Sequence, residues 1–440
     1  MEEYIYQIRE PVLSVEKQKL FNKIISTMND SVKLELFEQK FEEKRKNGMI
    51  DAVSKAVSEI LDLYSIRLSA DDFAIILYYV KRDFLGFGPI QPILEDPDIE
   101  DISCSGSNIP IYVFHRKYGS VKTNRILPET EADALIRRMA QCSKKHISVS
   151  HPMTDAVLPD GSRAHLTLGN EITVKGSTFT IRKFNEKPFL PSDLVKNGTF
   201  TPEMMAYFWL CAESNVNLMF AGGTASGKTT SLNAVCRFIP PNKKIVSIED
   251  TPEINLLHEN WIAGVSRESK NKDSSVTLYD LLKAALRQRP EYILVGEIRG
   301  FEAYVLFQAM STGHTTLSTM HAESVDTLIH RLENPPMNVP RVMIQTLDVL
   351  VILAQIGEGN RYYKKCLSVH EILETDPQTS EILTREIFGG SDPKADIARS
   401  DVLENIRKKR GWTKEKLAEE FNRRVRLFET EQTQVKREGI

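Results

Sequence analysis

Residues 217–221, Asn-Leu-Met-Phe-Ala, form an apolar run that breaks into Gly222-Gly223-Thr224-Ala225-Ser226-Gly227-Lys228-Thr229, a full match to G-x-x-x-x-G-K-[ST]. A strand feeding a glycine loop that opens a helix is the setting in which such a loop works. Its backbone N–H groups wrap phosphates and the helix N-terminus favours the anion. Lys228 reaches the β- and γ-phosphates, Thr229 ligates Mg²⁺, and Thr230 follows in the first helical turn. The chain is expected to bind a nucleoside triphosphate.

The flanking pattern agrees with that setting. Apolar strands at Val216 to Ala221, Lys244 to Ile248, Tyr292 to Val295, Thr315 to Met320 and Val349 to Ala354 alternate with helical patterns. Strands spaced in this way predict an α/β domain with a parallel sheet covered on both faces, placed at 197–375. Upstream, residues 1–83 read as a helical segment, with Leu20, Ile24 and Ile25, then Val53, Val57, Ile60 and Leu61 at helical spacing. Residues 84–184 read as an α+β domain with β-type runs at Ile109 to Phe114 and Phe179 to Arg182 and a helix from Glu129 to Cys142. Two prolines in Asn185-Glu-Lys-Pro-Phe-Leu-Pro191 mark a linker, 185–196. Residues 376–440 read as a charged helical tail.

Composition narrows the function classes. The formal net charge is −3 over 440 residues, so bulk electrostatics give no reason to expect nucleic acid or an anionic membrane as partner. Five scattered cysteines without a C-x-x-C pair argue against a disulfide framework or a cysteine-rich zinc site and for a reducing cytoplasm. No apolar run reaches the roughly 18 residues that span a bilayer, and Met1-Glu-Glu-Tyr lacks a signal-peptide layout. Work at a membrane is expected to go through a partner.

Hydrolysis needs a carboxylate on the attacking water and positive charge on the transferring phosphoryl group. Ligands of open parallel sheets gather at the carboxyl ends of strands. Glu249 and Asp250 leave one strand there, followed by Glu253, and Glu297 leaves another, Tyr292-Ile-Leu-Val-Gly-Glu-Ile-Arg299. Glycine stands at 296, where many nucleotide hydrolases place a metal-binding aspartate. Asp250, Glu297 and Thr229 are the metal candidates. Glu253 stays open between chemistry and capping or solvation. His321 leaves its strand on the same edge, as a candidate γ-phosphate sensor. His314 enters at the strand's other end and stays open between a catalytic and a structural role. A positive finger is often supplied by a neighbouring subunit; Arg163 and Arg182, outside the nucleotide domain, are the candidates, with Arg287, Arg289 and Arg299 weaker ones.

Four stretches taken together resemble the secretion-ATPase superfamily of type II and type IV secretion, type IV pili and the archaeal flagellum. Gly222 to Thr229 resembles its Walker A, and Ile248-Glu-Asp-Thr-Pro-Glu253 its Asp box. Leu286 to Arg299 resembles the Walker B, and Thr312-Gly-His-Thr-Thr-Leu-Ser-Thr-Met-His321 the His box. The resemblance covers roughly residues 80 to 375. Asp98-Ile-Glu-Asp-Ile-Ser-Cys104 and Tyr112-Val-Phe-His-Arg-Lys-Tyr118 look like its archaeal branch, and the four-cysteine zinc module of bacterial members is missing. Pro290-Glu291 replaces the commoner Asp-Pro-Asp, with no obvious catalytic cost.

This resemblance implies a RecA-like core hydrolysing ATP with Mg²⁺ in a cytoplasmic homohexamer. It implies a polytopic membrane platform protein as partner, through which pilin-like subunits are moved indirectly, for a pilus, secretion system or archaellum. By motif, Glu249 becomes the general base, Glu297 and Thr229 position Mg²⁺, and Arg163 and Arg182 match the arginines that reach the phosphates. The division of labour between Glu249 and Glu297 stays open.

A nucleic-acid translocase is the competing class, because RecA-like motors share this core. Its support is Ile406-Arg-Lys-Lys-Arg410-Gly-Trp-Thr413 followed by a second helix with Leu417, Phe421, Val425 and Phe428 at helical spacing. Thr413 is placed to cap that helix and Trp412 to staple against Leu417. Glu415, Glu419 and Glu420 on the second helix favour an amphipathic docking helix instead, and no nucleic acid is expected.

Overall fold

The computed structural model describes residues 4–31, 46–184, 189–267, 275–358, 361–376, 378–379, 381–389 and 399–438. The chain divides into two compact units, Met1–Asn185 and Glu186–Ile440. The first four residues of the expected linker, Asn185 to Pro188, lie outside the described residues. Its second half is helical, because Pro191 takes the first helical position and Asp193 accepts the Leu190 N–H at 2.9 Å.

The first unit opens with β1 (Ile5–Tyr6) and three helices, α1 (Val15–Ser31), α2 (Lys46–Leu63) and α3 (Ala70–Val80). These enclose Ile24, Met28, Val53, Val57, Ile76 and Val80. After α4 (Gln91–Glu95) come β2 (Ile99–Cys104), β3 (Pro110–His115), β4 (Gly119–Ile126), α5 (Glu129–Cys142), β5 (Met153–Val157), β6 (Arg163–Thr167) and β7 (Thr178–Arg182). The strands form one sheet in the order β1-β4-β3-β2-β7-β6-β5. Helix α5 adds Ala132, Leu135, Ile136, Met139 and Ala140 to its core.

The second unit is built around a sheet whose strands are β8 (Leu218–Gly222), β9 (Ile245–Glu249), β10 (Trp261–Val265), β11 (Tyr292–Ile298), β12 (Thr315–Met320), β13 (Val349–Glu358), β14 (Arg361–Thr375) and β15 (Ile382–Phe388). Their order is β10-β9-β11-β12-β8-β13-β14-β15. The first six are parallel. Every residue of β8, β9 and β12 is buried, as expected of strands covered on both faces.

One face carries α6 (Pro191–Lys196), α7 (Pro202–Glu213), α8 (Lys228–Cys236), α13 (Asp401–Arg410) and α14 (Lys414–Glu438). The other carries α9 (Leu278–Leu286), α10 (Glu302–Ser311), α11 (Val325–Glu333) and α12 (Arg341–Ile344). Starts follow local chemistry: Thr201 caps α7, Thr277 and Asp280 form a capping box on α9, and Ser324 caps α11. The fold is thus α/β with an α+β first unit.

Three features depart from the sequence reading, the first being β1, a strand in the segment read as helical that pairs with β4. The sheet of the second unit does not stay parallel, since β13 turns back as a hairpin with Glu358 opposite Arg361. The last strand, β15, falls in the segment read as a helical tail. Its sequence, Ile-Leu-Thr-Arg-Glu-Ile-Phe, shows no alternation of apolar and polar residues, and the strand is defined by its pairing with β14.

The C-terminal helices are stitched to this sheet. Glu371 on β14 is fully buried. It accepts from Tyr207 Oη at 2.8 Å, from the Ser400 hydroxyl, and from the backbone N–H groups of Asp401 at 2.8 Å and Val402 at 3.4 Å, at the start of α13. On α14, Phe421, Val425 and Phe428 are buried in the same core as α7. Arg424, only 3% exposed, pairs with Glu213 and Glu420 and lies over the Trp209 ring. Thr413 accepts the Lys416 N–H at 3.2 Å. Among the described residues, no helix is long and apolar enough to cross a membrane.

Candidate active site

The site stands at the carboxyl ends of β8, β9, β11 and β12. Strand β8 ends at Gly222, where a side chain would run into the Leu353 carbonyl of β13 and the Ser226 hydroxyl. Gly227 has φ +91°, a left-handed conformation open to glycine, and hands the chain to α8 at Lys228. Gly223, Thr224, Ala225 and Ser226 form the loop between them, closed by a 2.9 Å bond from Ser226 Oγ to the Gly223 carbonyl. Thr229 and Thr230 occupy the first turn of α8.

Lys228 is buried and folds back on its own loop. Its Nζ donates to the carbonyls of Gly222 at 3.0 Å and Gly223 at 2.7 Å, and lies 3.3 Å from His321 Nδ1. An ammonium only donates, so Nδ1 is the acceptor and Nε2 carries the proton. That Nε2 faces Glu297 Oε1 at 3.1 Å, while the other Glu297 oxygen accepts from Arg299. Lys228, His321, Glu297 and Arg299 thus form one chain of donors and acceptors along the sheet edge.

Charge follows from this geometry. Burial raises the Glu297 carboxyl, but the Arg299 hydrogen bond and charge, with His321 and Lys228, outweigh it and hold the group below its ordinary value. Burial and then Lys228 lower His321, so the imidazole is neutral near pH 7. A group whose neutral form is favoured in the fold adds stability that is fully present above its unfolded value, about 6.5, and is lost as the pH falls through it. Thermal melts should therefore show the wild type losing more stability than His321→Gln below about pH 6.5. Parallel curves would remove His321 from the network.

Glu249, the last residue of β9, is 3% exposed, and its Oε1 accepts the N–H groups of Glu253 and Ile254, both at 2.9 Å. Its stem fills the space over Gly296 on the neighbouring strand: a Cβ there would lie 2.9 Å from Glu249 Cγ and 3.1 Å from Oε1. The missing aspartate thus has a steric cause, because Glu249 occupies its place. Asp250 is exposed and accepts from Ser266 Oγ at 2.8 Å. Glu253 contributes its backbone. Asn233 of α8 donates to the Glu253 carbonyl at 2.8 Å and accepts the Asn255 N–H at 2.9 Å, clamping the loop-bearing helix to the segment after Glu249.

Other candidates lie elsewhere. His314 precedes β12, whose six residues separate it from His321 by about 20 Å; its Nδ1 is 3.2 Å from Thr312 Oγ1. Arg287 and Arg289 precede β11, at the edge opposite Glu297. Arg163 and Arg182 belong to the first unit, where they are register partners on β6 and β7. On its other side Arg182 stands in register with Asp101 of β2.

The sequence reading ranked Arg299 low, though it neutralises Glu297. It also overlooked Glu302, which is buried and orients that arginine's backbone by accepting the N–H groups of Arg299 and Gly300, both at 2.7 Å. An acidic residue in the first helical turn was the available signal. Glu323, whose Oε1 is 3.5 Å from where a Gly223 Cβ would be, carried none.

Comparison with known proteins bears on what this edge is for. The family described as "Type II/IV secretion system protein" matches residues 86–390. An uncharacterized protein of Methanocaldococcus jannaschii is 38% identical over 400 residues, covering 87% of this chain and 72% of its own. A type IV secretion system protein PtlH homolog of Bordetella bronchiseptica is 28% identical over 309 residues, covering 62% of this chain and 90% of its own. Among solved structures, the Yersinia pseudotuberculosis ATPase DotB aligns with a TM-score of 0.46 at 15% identity, covering 79% of this chain and 85% of that one.

Proposed function

The chain belongs to the Type II/IV secretion system protein family, and on that premise we propose that it is a cytoplasmic ATPase motor. In this reading it works as a homohexamer and drives assembly or secretion of pilin-like subunits through a polytopic membrane platform protein. A pilus or secretion system is the favoured setting and an archaellum the alternative. The observation that carries the reading is the chain from Lys228 through His321 to Glu297, which joins the phosphate loop to the β11 carboxylate beside Glu249.

The residues divide the work as follows. The N–H groups of Gly222 to Thr230 cradle the phosphates. An arriving γ-phosphate draws Lys228 off the Gly222 and Gly223 carbonyls, which frees His321 Nδ1 and makes the histidine a reporter of nucleotide state. Glu249 takes the proton from the attacking water. Its anchoring by the Glu253 and Ile254 N–H groups fixes its position. Mg²⁺ fits this donor set: the Thr229 hydroxyl is in the first turn of α8, Glu297 is held ionised, and Asp250 is exposed nearby. Those three residues would hold it, and it would supply charge neutralisation for the phosphates. Arg163 and Arg182 are read as cations offered to a neighbouring subunit's nucleotide, a reading their place outside the nucleotide-binding unit supports.

The test is ATP turnover on size-fractionated protein. Turnover per chain should rise with assembly, Arg182→Ala should remove that rise, and single- or double-stranded DNA should leave the rate unchanged. DNA stimulation that collapses with salt would favour the translocase reading. The basic run gives that reading little support: Arg407 is paired with Glu404 and the Trp412 carbonyl, and Arg410 with Ser214 and the Glu213 carbonyl.

A further inference from the structure

The hairpin of β13 and β14 overhangs the phosphate loop. Leu353 of β13 is the register partner of Gly222. Two residues further along β13, about 7 Å past that point, Gln355 faces Lys364 of β14. The lysine's stem runs across the loop: a Cβ on Gly227 would lie 3.2 Å from Lys364 Cδ and 3.9 Å from its Cβ and Cγ. Lys364 is partly exposed, and nothing in the motif arithmetic of the sequence marks it.

We propose that Lys364 is a second phosphate-binding cation, whose ammonium meets the α- and β-phosphates of the nucleotide held by this loop. The proposal rests on the reading of the loop as an ATP site. Lys228 serves the β- and γ-phosphates, and the loop's backbone N–H groups cradle the α- and β-phosphates. A lysine stem resting on Gly227, on the flank formed by β13 and β14, brings its charge to the cradled end of that chain of phosphates. Such a cation binds ATP and ADP alike and does not discriminate between them. Gly227 is then required twice, for its left-handed φ and for the lysine that crosses it.

Lys364→Met keeps a stem of similar bulk over Gly227 and removes the charge. Titration of fluorescent ADP and of a fluorescent, non-hydrolysable ATP analogue should show both affinities weakened by about tenfold, the effect of one lost charged contact. Lys364→Arg should restore most of the loss, and melting temperatures should stay close to wild type. Lys364→Gln repeats the measurement should methionine disturb the hairpin.

Affinities within about twofold of wild type for both nucleotides would reduce Lys364 to packing on Gly227 and overturn the proposal. A loss confined to the ATP analogue would also overturn it, by placing the charge at the γ-phosphate. A wild-type protein that binds neither nucleotide would instead sink the ATP-site reading, and the proposal with it.

Discussion

In a Gly296→Asp variant, ATP turnover should fall to background and the second unit should lose about 1–3 kcal/mol of stability from overpacking, although the change installs the aspartate that many nucleotide hydrolases carry. Val295 faces Ile248 across β11 and β9, so the next residue along each strand, Gly296 and Glu249, are brought side by side. A Cβ at 296 would meet Glu249 Cγ at 2.9 Å, Oε1 at 3.1 Å and Cβ at 3.5 Å. The intruding aspartate also sets a second carboxylate against a buried one, and two such groups cannot both ionise cheaply.

Removing the obstruction in Gly296→Asp/Glu249→Ala should recover only part of the melting temperature, because the Glu253 and Ile254 N–H groups lose their acceptor, and should not recover turnover. Glu249→Gln alone separates position from charge. Its amide oxygen can still accept the Glu253 and Ile254 N–H groups, so fold and nucleotide affinity should hold while turnover drops by about 10²- to 10³-fold. Calorimetry and steady-state hydrolysis on the same preparations decide the matter. A Gly296→Asp protein that melts like wild type would mean the space is not filled as described. Near-normal turnover in Glu249→Gln would remove the glutamate from proton transfer.

Glu371→Ala should be the most destabilising single change in the second unit, by on the order of 3–4 kcal/mol. The carboxylate is fully buried and serves Tyr207, Ser400, Asp401 and Val402 at once. Its loss leaves the tyrosine hydroxyl and the first N–H groups of α13 without an acceptor in a region closed to water, where each orphaned group costs about 1–3 kcal/mol. Residues 399–438 should then become protease-sensitive before the rest of the unit melts. Glu371→Gln, which retains an acceptor oxygen, should fall between the two. A variant with wild-type stability and an intact protease pattern would show that α13 is held by its apolar face alone.

How far the sequence could be read depended on how local each signal is. The phosphate loop needs one strand, one loop and one helix start, all within the stretch from Asn217 to Thr230, and that geometry was legible there. Glu249, Glu297 and His321 were legible as strand-end residues because strand direction decides the edge. The same argument leaves His314 at the opposite edge, a strand length away. What escaped depends on pairing between distant segments. The reason for glycine at 296 lies in Glu249, on a different strand. Val349 to Ala354 was legible as a strand, but its antiparallel return as β14 and the pairing of β15 were not, because each is defined only by a partner strand. The basic residues 407–410 were the support for a nucleic-acid surface, yet three of the four, Arg407, Lys408 and Arg410, are paired within the fold.

Asn233 fixes a spacing. A single buried amide on α8 holds both the carbonyl of Glu253 and the N–H of Asn255, so the helix that grips phosphate and the segment that positions Glu249 behave as the two jaws of one caliper. In the proposed ATPase reading, the gap between leaving group and attacking water is then set before any nucleotide arrives.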